Sequence, residues 1–175
     1  MKDRILVLED DRTSRKLLAR TLESAGYDVI ECAEGKDAIH FTMMYPPRVI
    51  VADVMLPDIS GTEVVEELKK LPACRHMKTI FLTGLLSKKE SDLKLTYKFE
   101  VGGKHYRALS KPVRKTLLLK LLSEMIEESD QEIAAERKQL EEAEAKDKAA
   151  IAAMAALRKA RILAAKKARE EGTLA

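Results

Sequence analysis

The stretch VIVADVMLPD, residues 49–58, is an apolar, β-branched run that reaches an acid, Asp53, with a proline four residues later. A continuous apolar strand is typical of a parallel sheet that is covered on both faces. Such a strand is buried along its length, yet this one ends in a carboxylate, next to the loop that follows. The stretch therefore predicts a central strand and makes Asp53 the first candidate for a functional residue.

Strand-like and helix-like segments alternate around this strand. The pattern predicts five strands, in RILVLED, YDVIECA, RVIVAD, TIFLTG and YRALS. It predicts a helix after each of them, in RTSRKLLARTLESAG, GKDAIHFTMMY, GTEVVEELKKL, SKKESDLKLTYKFE and VRKTLLLKLLSEMI. This alternation indicates an α/β domain with a doubly wound parallel sheet over residues 1–126.

Composition limits the class of protein. The 175 residues are 46% hydrophobic and 35% charged, with a net charge of +3, which argues against a disordered chain and against a strongly basic nucleic-acid binder. No apolar run approaches the roughly 18 residues of a membrane span, and MKDRILVLEDD does not resemble a signal peptide. We expect a soluble, cytoplasmic protein.

Residues 127–175 differ from the rest, because Gly and Pro vanish until Gly172 while Ala, Glu, Lys and Arg dominate. This composition predicts a long helical tail. Charge is segregated along it: acids prevail from Glu124 to Asp147, and every charged residue from Lys148 to Arg169 is basic. Antiparallel pairing of two copies would set opposite charges against each other, although charged residues interrupt the heptad pattern. A homodimer through a coiled coil and a solvated single helix both remain open.

Polar side chains collect where the predicted strands end. The carboxyl ends of parallel strands share one edge of a sheet, so these residues should lie close together. They are Glu9, Asp10 and Asp11 after the first strand, Asp53 after the third, Thr83 and Gly84 after the fourth, and Ser110, Lys111 and Pro112 after the fifth.

This set of groups favours phosphoryl chemistry. Carboxylates that are crowded together repel one another unless a cation lies among them, and Mg²⁺ prefers such oxygen ligands. Asp53 could then attack a phosphoryl group as a nucleophile. Lys111 and Thr83 would contact the phosphoryl oxygens, and Gly84 would leave room for the donor.

The stretches ILVLEDD, VIVADVMLPDISG, IFLTG and LSKP resemble the signature segments of response regulator receiver domains of two-component signalling. The resemblance covers residues 3–126 and implies a flavodoxin-like, five-stranded parallel sheet of order 2-1-3-4-5. It implies that Asp53 is the phosphoacceptor. Glu9, Asp10 and the backbone carbonyl of Met55 would hold Mg²⁺ with it. Thr83 would be the switch hydroxyl, Lys111 the lysine of the site with a cis bond to Pro112, and Pro57 and Gly61 the turn into the third helix.

The sequence departs from this family near its last strand. Family members usually carry an aromatic residue three positions before the lysine, where this chain has Ala108. Tyr106 lies two residues earlier on the same face of the strand. The segment EVGGKHYRALSKP is also about two residues longer than the spacing that the family usually has between its Gly-Ala and its Lys-Pro.

The resemblance implies a regulator that is not an enzyme beyond its own phosphorylation and dephosphorylation. Its partners would be a histidine kinase or histidine phosphotransfer protein and a downstream protein, reached through the helical tail. We expect no DNA binding, because the basic half of the tail lacks aromatic residues.

Two other functions fit the residues less well. One is a receiver-like scaffold whose switch is defective and whose tail assembles a complex. The other is a phosphatase of the haloacid dehalogenase type, which needs a second acid two residues after the nucleophile, where Met55 stands.

Overall fold

The structure is a computed structural model that describes residues 2–84 and 97–171. It divides into two compact units, Met1–Glu132 and Ile133–Ala175. The first unit contains a sheet with helices on both faces, and the second is helical. The units meet six residues after the boundary predicted from composition.

The helices and strands alternate in the first part of the chain, as predicted. The strands are β1 (Arg4–Leu8), β2 (Asp28–Cys32), β3 (Val49–Asp53), β4 (Lys78–Thr83), β5 (Tyr97–Val101) and β6 (Lys104–Ser110). The α-helices are α1 (Arg12–Ser24), α2 (Gly35–Met44), α3 (Gly61–Lys69) and α4 (Lys115–Glu171), and a short 3₁₀ helix spans Pro72–Cys74.

The sheet has the order β2-β1-β3-β4-β6-β5, in which β3 is central and all pairs except β5 with β6 are parallel. In β3, Val51 lies between Val7 of β1 and Ile80 of β4. The predicted fold class is confirmed, since β6 is the predicted fifth strand and the order of the parallel strands is the predicted one. The sixth strand is an addition at the edge.

Both faces of the sheet are buried, which explains why the central strands are apolar throughout. Alternate residues of β1, β3 and β4 pack on one side against α1 and the first turns of α4, where Leu18 and Leu118 are buried. The other residues pack against α2 and α3, where Ala38, Val65 and Leu68 are buried. All five residues of β3 are buried, and this includes Asp53.

The helix predicted over residues 87–100 is wrong where the structure describes it, because Tyr97–Val101 form the antiparallel edge strand β5. Residues 87–96 of that prediction lie outside the described residues. Gly102 and Gly103 both have positive φ, at 55° and 74°, and join β5 to β6 in a two-residue hairpin turn that glycine adopts readily. This hairpin also accounts for the extra length of the segment before Lys111.

The first unit continues along α4 beyond the predicted boundary because residues 128–132 contact the opposite end of the sheet from Asp53. Ser129 is buried, and its Oγ donates a hydrogen bond to the carbonyl of His76 at 3.1 Å. Arg48 pairs with Asp130, and Lys78 pairs with Glu132, each at 2.5 Å. These contacts fix the helix to the residues that open β3 and β4.

The helix of the second unit exposes its side chains, among them Leu140, Ile151, Met154 and Ile162. Along this helix acids prevail before Lys148, and the charged residues from Lys148 to Arg169 are basic. Within the described residues, no helix is both long enough and apolar enough to cross a membrane.

The contacts of residues 128–132 predict a difference between two truncations. A chain that ends after Glu132 should unfold at the same denaturant concentration as the full chain. A chain that ends after Ile126 loses the buried Ser129 hydrogen bond and both ion pairs, so its free energy of unfolding should fall by about 2 kcal/mol. Urea denaturation checks this, and equal stability of the two truncated chains would contradict it.

Candidate functional site

Asp53 ends β3, and its carboxylate is bound by the loop that follows the strand and by Lys111. The residue is only 8% exposed, and its Oδ1 accepts a hydrogen bond from the backbone N–H of Met55 at 3.1 Å. The residue after Asp53 still pairs with β4, because the N–H of Val54 donates a hydrogen bond to the carbonyl of Leu82 at 3.1 Å. The sheet therefore fixes the backbone on which the carboxylate is mounted.

Lys111 joins the carboxylates of Asp53 and Glu9. Its Nζ donates hydrogen bonds to Asp53 Oδ2 at 2.5 Å and to Glu9 Oε1 at 2.8 Å. Glu9 is 1% exposed and directly follows β1, and Lys111 directly follows β6. The bond between Lys111 and Pro112 is cis, as the resemblance implies. Lys111 thus binds one carboxylate 58 positions earlier in the sequence and another 102 positions earlier.

The pKa values of Glu9 and Lys111 reflect burial and neighbouring charges, which act in opposite directions. Burial raises the pKa of Glu9, and the ammonium of Lys111 only partly offsets this, while the charges of Asp53 and Asp10 add to the rise. Burial would lower the pKa of Lys111, but its hydrogen bonds to Asp53 and Glu9 outweigh that influence and raise it. Lys111 is therefore a permanent cation at physiological pH.

Glu9, Asp10 and Asp53 form a group with the geometry of a metal site. Each offers one carboxylate oxygen, and these oxygens lie within 4.8 Å of one another. Glu9 Oε2 is buried and lies 2.6 Å from Lys111 Nζ, so both oxygens of this carboxylate contact the same ammonium. An exposed acid beside two buried ones, all with oxygen donors, fits a hard divalent cation such as Mg²⁺.

Asp11, the third acid after β1, has a different task. It is the N-cap of α1, and its Oδ1 accepts a hydrogen bond from the N–H of Ser14 at 2.7 Å. This hydrogen bond lowers the pKa of Asp11. Of the three neighbouring acids, the structure brings Glu9 and Asp10 to Asp53 and uses Asp11 to begin the helix.

Arg15 is a residue of the site that the sequence did not predict. Its Nη1 donates to the backbone carbonyls of Glu9 at 2.6 Å and of Asp10 at 3.0 Å. The guanidinium therefore fixes the turn that carries both acids. A base one turn into a helix gives no sign of such a role, because its acceptors are main-chain atoms.

Thr83 ends β4 beside this group, and Gly84 follows it. Thr83 is 3% exposed, and its carbonyl accepts a hydrogen bond from the backbone N–H of Lys111 at 2.9 Å. A Cβ at Gly84 would meet no atom of residues 2–84 or 97–171 within 4 Å, so these parts of the chain leave space next to the end of the strand. Ser110 pairs with Thr83 in the last register position of β4 with β6.

The loop after Asp53 is held closely against it. A Cβ at Gly61 would lie 1.9 Å from the backbone oxygen of Asp53, so only glycine fits at this position. Asp58 accepts hydrogen bonds from the N–H groups of Gly35 and Lys36 at the start of α2, which lowers its pKa to about 2. Ser60 and Glu63 form a capping box at the start of α3.

Ala108 and Tyr106 are the two positions of β6 near which the family usually has an aromatic residue, and both lie next to Phe81 of β4. Ala108 is 1% exposed and lies opposite Phe81 in the sheet. The ring of Tyr106 packs edge-on against Phe81 with centroids 5.5 Å apart, and Phe99 of β5 packs on the same ring at 5.2 Å. Tyr106 thus belongs to an aromatic cluster over the α3 side of the sheet.

The family comparison agrees with this geometry. The model of the response regulator receiver domain family matches residues 5–123. The chain belongs to this family, and it is a receiver domain of two-component signalling. Members of the family are regulators rather than enzymes in the ordinary sense.

Known proteins resemble the same part of the chain. The alkaline phosphatase synthesis transcriptional regulatory protein PhoP of Bacillus subtilis is 34% identical over 112 residues, which are 64% of this chain and 43% of PhoP. The polar-differentiation response regulator DivK of Brucella ovis is 29% identical over 92 residues, 53% of this chain and 75% of DivK. The chain thus spans less than half the length of PhoP.

A solved structure shares the fold. The CheY-like response regulator receiver domain protein of Methanospirillum hungatei JF-1 superposes with a TM-score of 0.63 and 28% identity. The match covers 75% of this chain and 99% of that protein.

The close approach of Gly61 to Asp53 predicts the effect of one methyl group. In Gly61→Ala the new Cβ would overlap the Asp53 carbonyl, so the loop must shift and the free energy of unfolding should fall by about 2 kcal/mol. Gly84→Ala is the matched control, because its Cβ would meet no atom of the described residues within 4 Å. Urea denaturation of both variants checks this, and a Gly61→Ala variant as stable as Gly84→Ala would contradict the described packing.

Proposed function

We propose that this chain accepts a phosphoryl group on Asp53 from a histidine kinase or a histidine phosphotransfer protein, with Mg²⁺ as cofactor. It then signals through contacts with other proteins. The observation that carries this proposal is the shared ammonium of Lys111, which holds the buried carboxylates of Asp53 and Glu9 together at the open edge of the sheet. Membership of the receiver family is consistent with it.

Asp53 is the nucleophile in this proposal. One carboxylate oxygen attacks the phosphorus of the donor's phosphohistidine, and a P–O bond forms as the P–N bond breaks. The imidazole leaves with the electron pair of the broken bond and takes a proton from solvent. The product is an acyl phosphate on Asp53.

Lys111 and Thr83 stabilise the charge that this transfer brings to the site. Lys111 Nζ lies 2.5 Å from Asp53 Oδ2. A short movement of the ammonium would therefore bring it to an oxygen of a phosphoryl group attached to Asp53. The hydroxyl of Thr83, at the end of the adjacent strand, would donate to a second phosphoryl oxygen. Gly84, whose Cβ would meet no atom in the described part of the chain, would leave room for the donor to approach.

Glu9, Asp10 and Asp53 would hold Mg²⁺ through their carboxylates. The Met55 backbone carbonyl as a further ligand stays a prediction, and the N–H of the same residue already orients Asp53. When bound, the cation would neutralise the acids and the incoming phosphoryl oxygens. Arg15 binds the backbone carbonyls of Glu9 and Asp10, so a contact within the chain fixes the backbone that carries these two carboxylates.

The output of the phosphorylated chain would be a protein contact rather than DNA binding. A downstream partner and a homodimer through the helical tail are both part of the proposal, and the cytoplasmic location stays a prediction. A scaffold whose switch is defective is the second candidate, favoured by Ala108 and by the packing of Tyr106 on Phe81. In that case the chain would assemble a complex without responding to phosphate.

Labelling separates the two functions. Incubation with Mg²⁺ and acetyl phosphate should add one phosphoryl group, detected by intact-mass spectrometry, because Asp53 is a positioned nucleophile. Asp53→Asn should abolish the addition. Asp28→Asn, a matched change at the other end of the sheet where Asp28 pairs with Arg4, should leave it unchanged.

Beryllofluoride serves as a second probe, since it mimics the phosphoryl group without a donor reaction. Changes in the amide spectrum of the wild-type chain around residues 53, 83 and 111, absent in Asp53→Asn, are expected. If the wild-type chain neither takes the label nor responds to beryllofluoride, the scaffold is the better account.

A further inference from the structure

We propose that the face of α4 formed by residues 140–165, in the second unit of the structure, pairs with the same face of a second copy in one antiparallel register. The twofold axis would lie between Ala152 and Ala153. This inference makes the proposed homodimer specific, but it does not depend on the chemistry of Asp53.

The face is defined by alternate spacings of four and three residues along the helix. One heptad set is Leu140, Asp147, Met154 and Arg161, and the other is Glu144, Ile151, Arg158 and Ala165. These two sets form the seam of a two-stranded coiled coil. All of them are exposed in the structure, so the face has no covering within the described part of the chain.

The apolar members of the face match one another in this register. An antiparallel pair sets each position of one heptad set against a position of the other set in the partner. About the proposed axis, Ile151 meets Met154 of the second copy, and Leu140 meets Ala165. Ile151, Met154 and Leu140 are 68%, 73% and 60% exposed in the single chain, so pairing would bury three large apolar side chains in each copy.

The charged members match as well. In the same register Asp147 meets Arg158 of the second copy and Glu144 meets Arg161, and the twofold axis repeats each pair. The charges that interrupt the apolar face thus become complementary layers. Buried charged or polar layers of this kind cost stability but specify orientation and register.

Other arrangements lose this complementarity. A parallel pair in register would set Asp147 against Asp147 and Arg158 against Arg158, which is repulsive at both positions. Sliding the antiparallel pair by one heptad would set Asp147 against Ile151 or Ala165, so the carboxylate would be buried without a partner. The occupant that fits the face is therefore a second copy in the register described.

Charge reversal at two positions tests the register on the full chain. Asp147→Arg creates two Arg–Arg layers, and Arg158→Asp creates two Asp–Asp layers, so each should weaken dimerisation about tenfold or more in sedimentation equilibrium. The double variant restores opposite charges in both layers, and its Kd should return to within about threefold of the wild-type value. Mixing the two single variants should give heterodimers.

Controls separate this effect from general changes in charge or helicity. Glu142→Arg and Lys167→Asp make comparable charge changes on the opposite side of the helix, and they should leave the Kd unchanged. Circular dichroism verifies that all variants keep their helix. Asp53→Asn should dimerise as the wild type does, so a failure of phosphorylation leaves this proposal standing.

Three results would overturn the proposal. They are a wild-type chain that stays monomeric at about 100 µM, Asp147→Arg dimerising as the wild type does, and a double variant no better than the single ones. The second result is the one expected of a parallel pair, in which Asp–Asp contacts would merely be exchanged for Arg–Arg contacts.

Discussion

The ammonium of Lys111 between Glu9 and Asp53 is the interaction on which this site depends. Two buried carboxylates in contact with a third acid would repel one another and would be costly to keep ionised in the interior. Lys111 supplies the opposing charge, and because it follows β6 it ties the last parallel strand to β1 and β3. The order of the strands is what makes this contact possible, since β1, β3 and β4 lie side by side with their carboxyl ends at one edge.

The loop after Asp53 is also held in place by specific contacts. Met55 orients the carboxylate, Gly61 lets the loop pass against the Asp53 backbone, and Asp58 fixes the loop to the start of α2. Each of these contacts involves a backbone group, so the loop backbone is held at three points. The Asp53 carboxylate is thus positioned by contacts within the chain itself, as the proposed nucleophilic role requires.

Much of the fold and of the site could be predicted from sequence because the residues concerned carry strong local signals. The central strand is apolar up to Asp53, and acids, a hydroxyl and a lysine lie at the carboxyl ends of four parallel strands, so parallel topology predicts that they meet. The antiparallel strand β5 was missed, although Gly102-Gly103 between alternating residues indicates a hairpin turn. Arg15 could not be predicted, because it binds main-chain carbonyls. The contacts of Ser129 and Asp130 could not either, because they join residues far apart in the sequence.

The cation site gives the most direct test of the account. Mg²⁺ that binds only the folded chain should raise the free energy of unfolding, by about 1.4 kcal/mol at ten times its Kd. In urea denaturation with and without MgCl₂, wild type and Asp11→Asn should both be stabilised, because Asp11 only caps α1 and Asn caps equally well. Asp10→Asn should lose the effect. A wild-type chain that Mg²⁺ does not stabilise, or an Asp10→Asn variant stabilised as much as Asp11→Asn, would contradict the claim that Glu9, Asp10 and Asp53 form one metal site.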